Sequence, residues 1–384
     1  MIPDPLDARL GYVPDAGRGG RRRWTGIRLA LGLSPTPVPG LVLLPLGVAL
    51  GPHGLGLLSP IVLAYLDPAV SVAVATLGVF VGLGLDARRP HEGRLLAAAS
   101  VEAALTVTLV GAGVLLALLA LRLAPVDAGL APWLIALLIG VCAASSSTTA
   151  IEGPDRPGMQ AARMGDLDDV LPIVIGAVAL ASLRESEPAA VSWLTAQSAI
   201  IALIIAFAGW LLVSQAASES EQRVFAVGTL LLLGGTVEYL SLSALLAGLV
   251  AGALWNAAGG PGRERLGRDV RHVQHPLVVL LLLVAGARVN VSPDLALLVS
   301  VYLLFRIAGK MAGGWIARRI AGRDLPARLG LYLVSPGVIA VAFGLNALQA
   351  GGPDRAGIVL AVAVAGSFGS ALISLLVHPR DTPS

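Results

Sequence analysis

Long apolar segments alternate with short polar stretches from about residue 40 to residue 377. Most segments are roughly 17 to 25 residues long, the length at which a helix crosses a bilayer core of about 30 Å. They lack the alternating pattern of barrel strands. We therefore predict an all-α polytopic membrane protein with about twelve transmembrane helices. The predicted helices lie at 40–58, 68–85, 96–121, 132–151, 159–183, 191–213, 224–238, 241–258, 276–290, 295–318, 328–348 and 356–377.

Composition and charge support a membrane location. Hydrophobic residues make up 56% of the chain and charged residues only 13%, against about 25% charged in soluble domains. With twelve spans, most arginines fall in loops on the side that both termini share, so the positive-inside rule predicts cytoplasmic termini. The arginines are scattered and form no single basic face, which argues against a nucleic-acid partner. The single cysteine, Cys142, excludes an intrachain disulfide.

Two predicted helices carry sequences that favour an interruption. Segment 132–151 contains the polar run 145–149, which includes Ser147, Thr148 and Thr149. Segment 328–348 contains Ser335, Pro336 and Gly337, where proline removes an amide donor and glycine permits non-helical angles. Each run is equally compatible with a kinked, continuous helix, because serine and threonine often bond their own helix backbone.

Interrupted helices in two halves of a chain are typical of transporters built from inverted repeats. Residues 96–183 and 295–378 each form a predicted three-helix unit around one interrupted helix. The first unit is entered from the cytoplasm and the second from outside, as inverted repeats require.

Acidic residues lie within the predicted helix 159–183, namely Asp166, Asp168 and Asp169. Intramembrane charges are costly and mark functional sites. Lys310 is the only lysine among 27 basic residues. It lies roughly 12 Å from the cytoplasmic end of its helix, and Asp168 and Asp169 lie roughly 15 Å from the cytoplasmic end of theirs, so the depths are similar. Adjacent helical residues point about 100° apart, so one aspartate can face Lys310 and the other a cavity. The alternative places the acids at a cytoplasmic helix N-terminus.

Further residues extend this candidate site. Pro172 cannot donate to the Asp168 carbonyl, which leaves a free oxygen beside two carboxylates, the environment that a small hard cation prefers. Arg306 lies four residues before Lys310 and is predicted to pair with Glu102 as a structural ion pair. Equally, Glu102 could be solvated at the cytoplasmic boundary.

These residues resemble the monovalent cation:proton antiporter superfamily, specifically the electrogenic paired-aspartate branch of bacterial sodium/proton exchangers with a Kef-type membrane domain. The resemblance covers most of residues 40–375 and depends on the order and spacing of several motifs. The motifs are LGVALGPHGLGLL, LGVFVGLGLDARR, the Ser/Thr run, DLDDVLP, EYLSLSALLAGLVAG, PLVVLLLLVAGARVNV, the Lys310 helix and LGLYLVSPGVIAVAFG.

The resemblance implies that Asp169 binds the transported cation or a proton, that Asp168 pairs with Lys310, and that Ser147, Thr148 and Thr149 supply ligands. Paired acids imply electrogenic exchange. Three features depart from the family. Ala150 replaces the usual proline of the first interruption, Val338 replaces a common glutamate of the second, and a first helix is missing. The chain is either a natural twelve-span form or lacks its start.

The domain organisation also follows from the resemblance, and it implies a homodimer in the bacterial inner membrane. The ranges are a polar N-terminal segment (1–38), a scaffold and dimerisation domain (39–95 and 184–294), an ion-transport core (96–183 and 295–378) and a tail (379–384).

The expected function is exchange of a monovalent cation, sodium first, for protons by alternating access, with no cofactor. The alternatives are a potassium efflux transporter or channel-like pathway, and a non-transporting scaffold or sensor. An enzyme is least expected, because no nucleophile and base pattern or metal-ligand spacing occurs.

Overall fold

The computed structural model describes residues 38–85, 92–120, 131–147, 156–259, 261–290, 293–322 and 325–377. In these ranges the regular elements are all helices. In chain order they are α1 (Val38–Leu50), α2 (Pro60–Tyr65), α3 (Asp67–Gly84), α4 (Glu92–Ala120), α5 (Pro132–Ala144), α6 (Arg156–Leu167), α7 (Val170–Ser182), α8 (Pro188–Gln215), α9 (Glu219–Tyr239), α10 (Ala244–Ala258), α11 (Pro261–Ala287), α12 (Pro293–Ala321), α13 (Leu329–Tyr332), α14 (Val338–Gly351) and α15 (Pro353–Val377).

Five of these helices, α3, α4, α8, α12 and α15, are long and apolar enough to cross a membrane. Large apolar side chains on their outer faces are exposed, as in α8, where Ile204 and Phe207 point away from the protein. Exposed apolar side chains on long apolar helices are suited to contact with lipid. The all-helical, membrane-spanning prediction is therefore confirmed.

Outside the interrupted segments, two predicted helix boundaries are wrong by more than two helical turns. The helix predicted at 40–58 ends at Leu50, and a turn that contains Gly56 with a φ of 69° follows. The helix predicted at 276–290 begins at Pro261 instead. The polar first half of this helix lies between the predicted helices 241–258 and 276–290. It is rich in arginine, which is a good helix former.

The predicted helix 159–183 is divided at the two aspartates. Helix α6 ends at Leu167 and α7 begins at Val170, with Asp168 and Asp169 in a turn between them. Pro172 occupies the first turn of α7, where its missing amide is tolerated. The paired carboxylates thus sit at a helix junction.

Small residues let two pairs of helices approach closely. In α3 and α10, a Cβ added at Gly82 would lie 2.2 Å from the Leu249 carbonyl oxygen, and one at Gly248 would lie 1.9 Å from that of Ala75. The contact of α1 with α11 is similar, because a Cβ at Gly47 would lie 2.3 Å from the Leu283 carbonyl oxygen. Such contacts are typical of membrane helix packing.

The other main contacts surround the helix junctions. Helix α4 packs along α12 and α5, and α15 packs along α14. These helices place the C-terminal end of α5 and the N-terminal end of α14 next to the polar face of α12.

Candidate functional site

The two interrupted segments of the chain meet in the protein interior. After α5, Ser146 lies opposite Pro336, in antiparallel orientation, in the stretch before α14. The Ser147 amide donates to the Ser335 carbonyl at 3.0 Å, and the Ser146 hydroxyl donates to the Leu333 carbonyl at 3.0 Å. Thr148 and Thr149 lie outside the described residues.

Proline and glycine explain the second interruption. Pro336 has no amide hydrogen to continue a helix. A Cβ at position 337 would lie 2.1 Å from the Ser145 hydroxyl and 2.8 Å from the Ser146 carbonyl oxygen. Only glycine at position 337 therefore allows the two segments to touch.

Arg306 holds the two segments together. Its fully buried guanidinium donates to the Ala143 carbonyl, to the Ser145 carbonyl at 2.8 Å and to the Val334 carbonyl at 3.3 Å. These oxygens belong to both interruptions, where helical hydrogen bonds are missing. A planar fork of donors suits several carbonyls at once.

The predicted ion pair between Glu102 and Arg306 is wrong. In the structure the Glu102 carboxylate contacts Lys310, and the hydrogen bonds of Arg306 go to backbone carbonyls. Interrupted backbone offers unpaired carbonyls that require donors, and these compete for the arginine. The alternative of a solvated Glu102 is also wrong, since Glu102 is 0% exposed.

Lys310 lies between two carboxylates. Its ammonium is 3.2 Å from Asp168 Oδ2 and 3.1 Å from Glu102 Oε1, and it also donates to the Ala144 carbonyl. Lys310, Asp168 and Glu102 are all fully buried. The ammonium therefore joins α4, α5, α12 and the junction of α6 and α7.

Asp169 faces the other way, into a cavity of about 440 Å³. Ser146, Ser147 and Gly337 of the interrupted segments line the same cavity, which extends toward Gly84 at the end of α3. Asp166 also lines it, but is exposed and lies 4.0 Å from the Arg163 guanidinium. Asp168 is therefore enclosed in the protein against Lys310, whereas the adjacent Asp169 borders a cavity.

Several side-chain oxygen atoms at this site are buried. They are Oδ1 of Asp168, Oδ1 of Asp169 and the hydroxyl oxygens of Ser145 and Ser335. Carboxylate, hydroxyl and carbonyl oxygens are the donors that hard cations prefer. This set of oxygen ligands therefore suits a small, hard cation.

The ionisable groups leave the site one positive charge short. Three buried carboxylates, on Glu102, Asp168 and Asp169, lie near two buried bases, Lys310 and Arg306. If all five groups are ionised, their charges sum to minus one. A buried net charge is costly unless compensated, so a proton or a monovalent cation is suited to complete the site.

Polar contacts join the helices at the opposite end of this region, near Asp67. Gln349 of α14 donates to the Asp67 carbonyl at 3.2 Å and accepts from the Ser71 hydroxyl at 3.4 Å. Arg288 pairs with the Asp67 carboxylate at 2.7 Å. These contacts join α14 to α3 and to the end of α11 on the side away from the Asp169 cavity.

Glu102 is the residue at this site whose partner the sequence reasoning missed. The signal was present, because Glu102 is the lone acid within the third predicted helix and Lys310 is the only lysine of the chain. Intramembrane acids and bases pair with one another. Matching by depth assigns Lys310 to Asp168 alone, because the two residues lie at a similar distance from the cytoplasmic ends of their helices.

Comparisons with known proteins identify the fold. No family model matches the chain, and no curated protein matches its sequence. A solved structure, that of the sodium proton antiporter MjNhaP1 from Methanocaldococcus jannaschii at pH 8, is similar over 92% of both chains, with a TM-score of 0.61 and 14% sequence identity. This chain is thus a multi-pass helical membrane protein with the fold of a sodium proton antiporter.

Proposed function

We propose that this protein exchanges a monovalent cation, sodium, for protons across a membrane by alternating access. The observation that carries the proposal is the buried group of three carboxylates and two bases, which is one positive charge short. The antiporter fold supports it, as does the cavity that leads to Asp169.

Exchange follows from competition at Asp169. Of the three buried carboxylates, it is the one that lines the open cavity, so a cation or a proton in the cavity can contact it directly. A cation that binds there takes the place of the proton, and a proton that binds displaces the cation. No covalent chemistry is needed, because the two substrates compete for the same oxygen atoms.

Electrogenic exchange requires a second proton for each cation. Asp168 is next to Asp169 and its Oδ2 atom is held by Lys310 at 3.2 Å. When a cation binds at the two aspartates, we propose that the Lys310 ammonium releases this second proton. One sodium ion then exchanges for two protons, and each cycle moves one net charge.

Alternating access requires a path that opens on one side at a time. The Asp169 cavity extends toward Gly84, whereas Gln349 closes the side near Asp67. The sequence places the Gly84 side in the cytoplasm. We propose that the core, 96–183 and 295–378, moves as two inverted repeats against a dimeric scaffold, 39–95 and 184–294, and that the Gln349 contacts break in the opposite state.

The proposal is tested with purified protein in liposomes that carry an imposed pH gradient. We expect sodium movement that depends on the gradient and generates a membrane potential. We expect Asp169→Asn to abolish it, whereas Glu221→Gln, at an exposed position on α9, keeps the wild-type rate. Undiminished exchange in Asp169→Asn contradicts the proposal.

The same assay separates the other functions. Potassium flux that ignores the pH gradient would identify an efflux pathway or channel. Absence of any flux of sodium, lithium or potassium, from protein that is folded and inserted, would identify a scaffold or sensor.

A further inference from the structure

Lys310 has a second carboxylate partner besides Asp168. Both oxygens of Glu102 lie within reach of its ammonium, Oε1 at 3.1 Å and Oε2 at 3.2 Å. Arg306, the charged residue nearest to Lys310 along the same helix, is one turn away and bonds to carbonyls. Asp169, beside Asp168, faces the cavity. The lysine therefore has one acidic partner next to the cavity and one remote from it.

Glu102 is fixed in its position. The Thr106 hydroxyl donates to Glu102 Oε1 at 3.0 Å, and the side chain is 0% exposed. Two glycines of α12 on either side of Lys310 bring α4 close: a Cβ at Gly309 would lie 2.9 Å from the Thr106 Cα, and one at Gly313 would lie 2.8 Å from the Glu102 Cγ. Glu102 is thus held against the lysine and does not line the Asp169 cavity.

We propose that Glu102 is the resident counter-ion of Lys310, a positioning residue that holds the ammonium in place while Asp168 turns to the transported cation. This inference rests on the proposed function, because it concerns what happens when the cation arrives. Glu102 acts through Lys310 and does not touch the cation.

The energetic reason is the cost of an unpaired buried charge. If Asp168 were the sole partner, a cation that drew Asp168 away would leave a buried ammonium without a counter-ion, and breaking such a pair is strongly destabilising. With Glu102 present, the ammonium keeps one carboxylate from the moment Asp168 turns away until it releases its proton. The cation then breaks only the ion pair between Lys310 and Asp168, and the pair between Lys310 and Glu102 stays in place.

The first test measures the sodium KM and the maximal rate of Glu102→Gln in liposomes. Without Glu102 the ammonium binds Asp168 alone, so the cation must break a stronger contact. We expect the KM to rise roughly 10- to 150-fold, which corresponds to the about 1.5–3 kcal/mol that a hydrogen bond to a charged group contributes. Thr106→Val, which removes one hydrogen bond and no charge, should raise KM less, in the same direction.

Glu92→Gln is the matched control. Glu92 begins the same helix, is also buried, and forms its own ion pair with Arg163, a residue outside the charged group. It lies ten residues, or roughly 15 Å, from Glu102. We expect its KM to stay within twofold of the wild type. An equal rise in both variants, or an unchanged KM with only a lower rate in Glu102→Gln, overturns the proposal.

The second test needs no transport. The midpoint of thermal unfolding in detergent is compared for the wild type, Glu102→Gln, Asp168→Asn and the double variant. Each single variant leaves Lys310 one carboxylate, whereas the double variant leaves none. We expect the double variant to lose more than the sum of the single losses. Additive losses overturn the proposal.

The two tests separate this inference from the proposed function. If the wild type moves no sodium, the proposed function fails, and the unfolding measurements still decide whether Glu102 and Asp168 share the lysine. If exchange is normal and the losses are additive, the exchanger stands and the role of Glu102 fails.

Discussion

Replacing Arg306 by methionine should destabilise the fold more than most single substitutions do. Methionine is apolar and flexible enough to fill the space that the arginine stem occupies. It cannot donate hydrogen bonds to the Ala143, Ser145 and Val334 carbonyls, which accept from Arg306 in the wild type. These carbonyls lie at the ends of two interrupted helices. These carbonyls lie where water has little access, since Ser145 is 1% exposed and Arg306 is 0% exposed.

The expected magnitude follows from three orphaned acceptors. A buried polar group left unpaired costs about 1–3 kcal/mol, so three carbonyls give a gross loss of roughly 3–9 kcal/mol by the same rule. Removing a desolvated guanidinium offsets part of this loss. The substitution also takes away one of two positive charges beside three carboxylates. We therefore expect the free energy of unfolding to fall by about 3 kcal/mol or more.

The assay is reversible unfolding in detergent, followed by helix content. The matched control is Arg319→Met on the same helix, where the guanidinium lies 3.5 Å above the exposed Trp315 ring. That contact is worth about 0.5–1 kcal/mol at an exposed site. If Arg306→Met loses no more than Arg319→Met, the carbonyls find other donors, and the role given to Arg306 is refuted.

Two further predictions concern the helix contacts around the site. Gly248→Ala should destabilise the protein by about 1–3 kcal/mol, because its Cβ would lie 1.9 Å from the Ala75 carbonyl oxygen. The control Gly235→Ala should leave the stability unchanged, because a Cβ there meets nothing within 4 Å. Equal unfolding curves for the two variants would contradict the close packing of α3 and α10. Gln349→Ala should open the side near Asp67, so a thiol introduced as Asn346→Cys should react faster with a polar maleimide in that background. Equal labelling rates would show that Gln349 does not close this side.

The sequence was sufficient for the membrane fold because helix length and hydropathy are imposed by the bilayer. Depth matching within two helices also pointed to Lys310 and Asp168, whose atoms lie 3.2 Å apart. Depth is a one-dimensional quantity that a helix rise of about 1.5 Å per residue supplies directly.

Depth alone did not identify the partners of Glu102 and Arg306. They depend on how α4 and α12 are rotated about their axes, which Gly309 and Gly313 set by allowing close contact. Every residue has a backbone carbonyl, so the sequence does not show which carbonyls lack a helical hydrogen bond. The Ser145 carbonyl is such an acceptor, and only the structure shows that it accepts from Arg306. Arg306 was therefore assigned to the nearest available acid.

The contrast between Arg306 and Lys310 gives a physical reason for the solitary lysine. The acceptors of Arg306 are carbonyls of two chain segments spread around a planar group, which a fork of five donors can reach. The acceptors of Lys310 are two carboxylates and the Ala144 carbonyl around a single point, which suits a compact ammonium with three rotatable donors. A guanidinium there would need space that the packing of Gly309 and Gly313 against α4 does not leave. Among the described residues, Lys310 is the base that lies between two buried carboxylates.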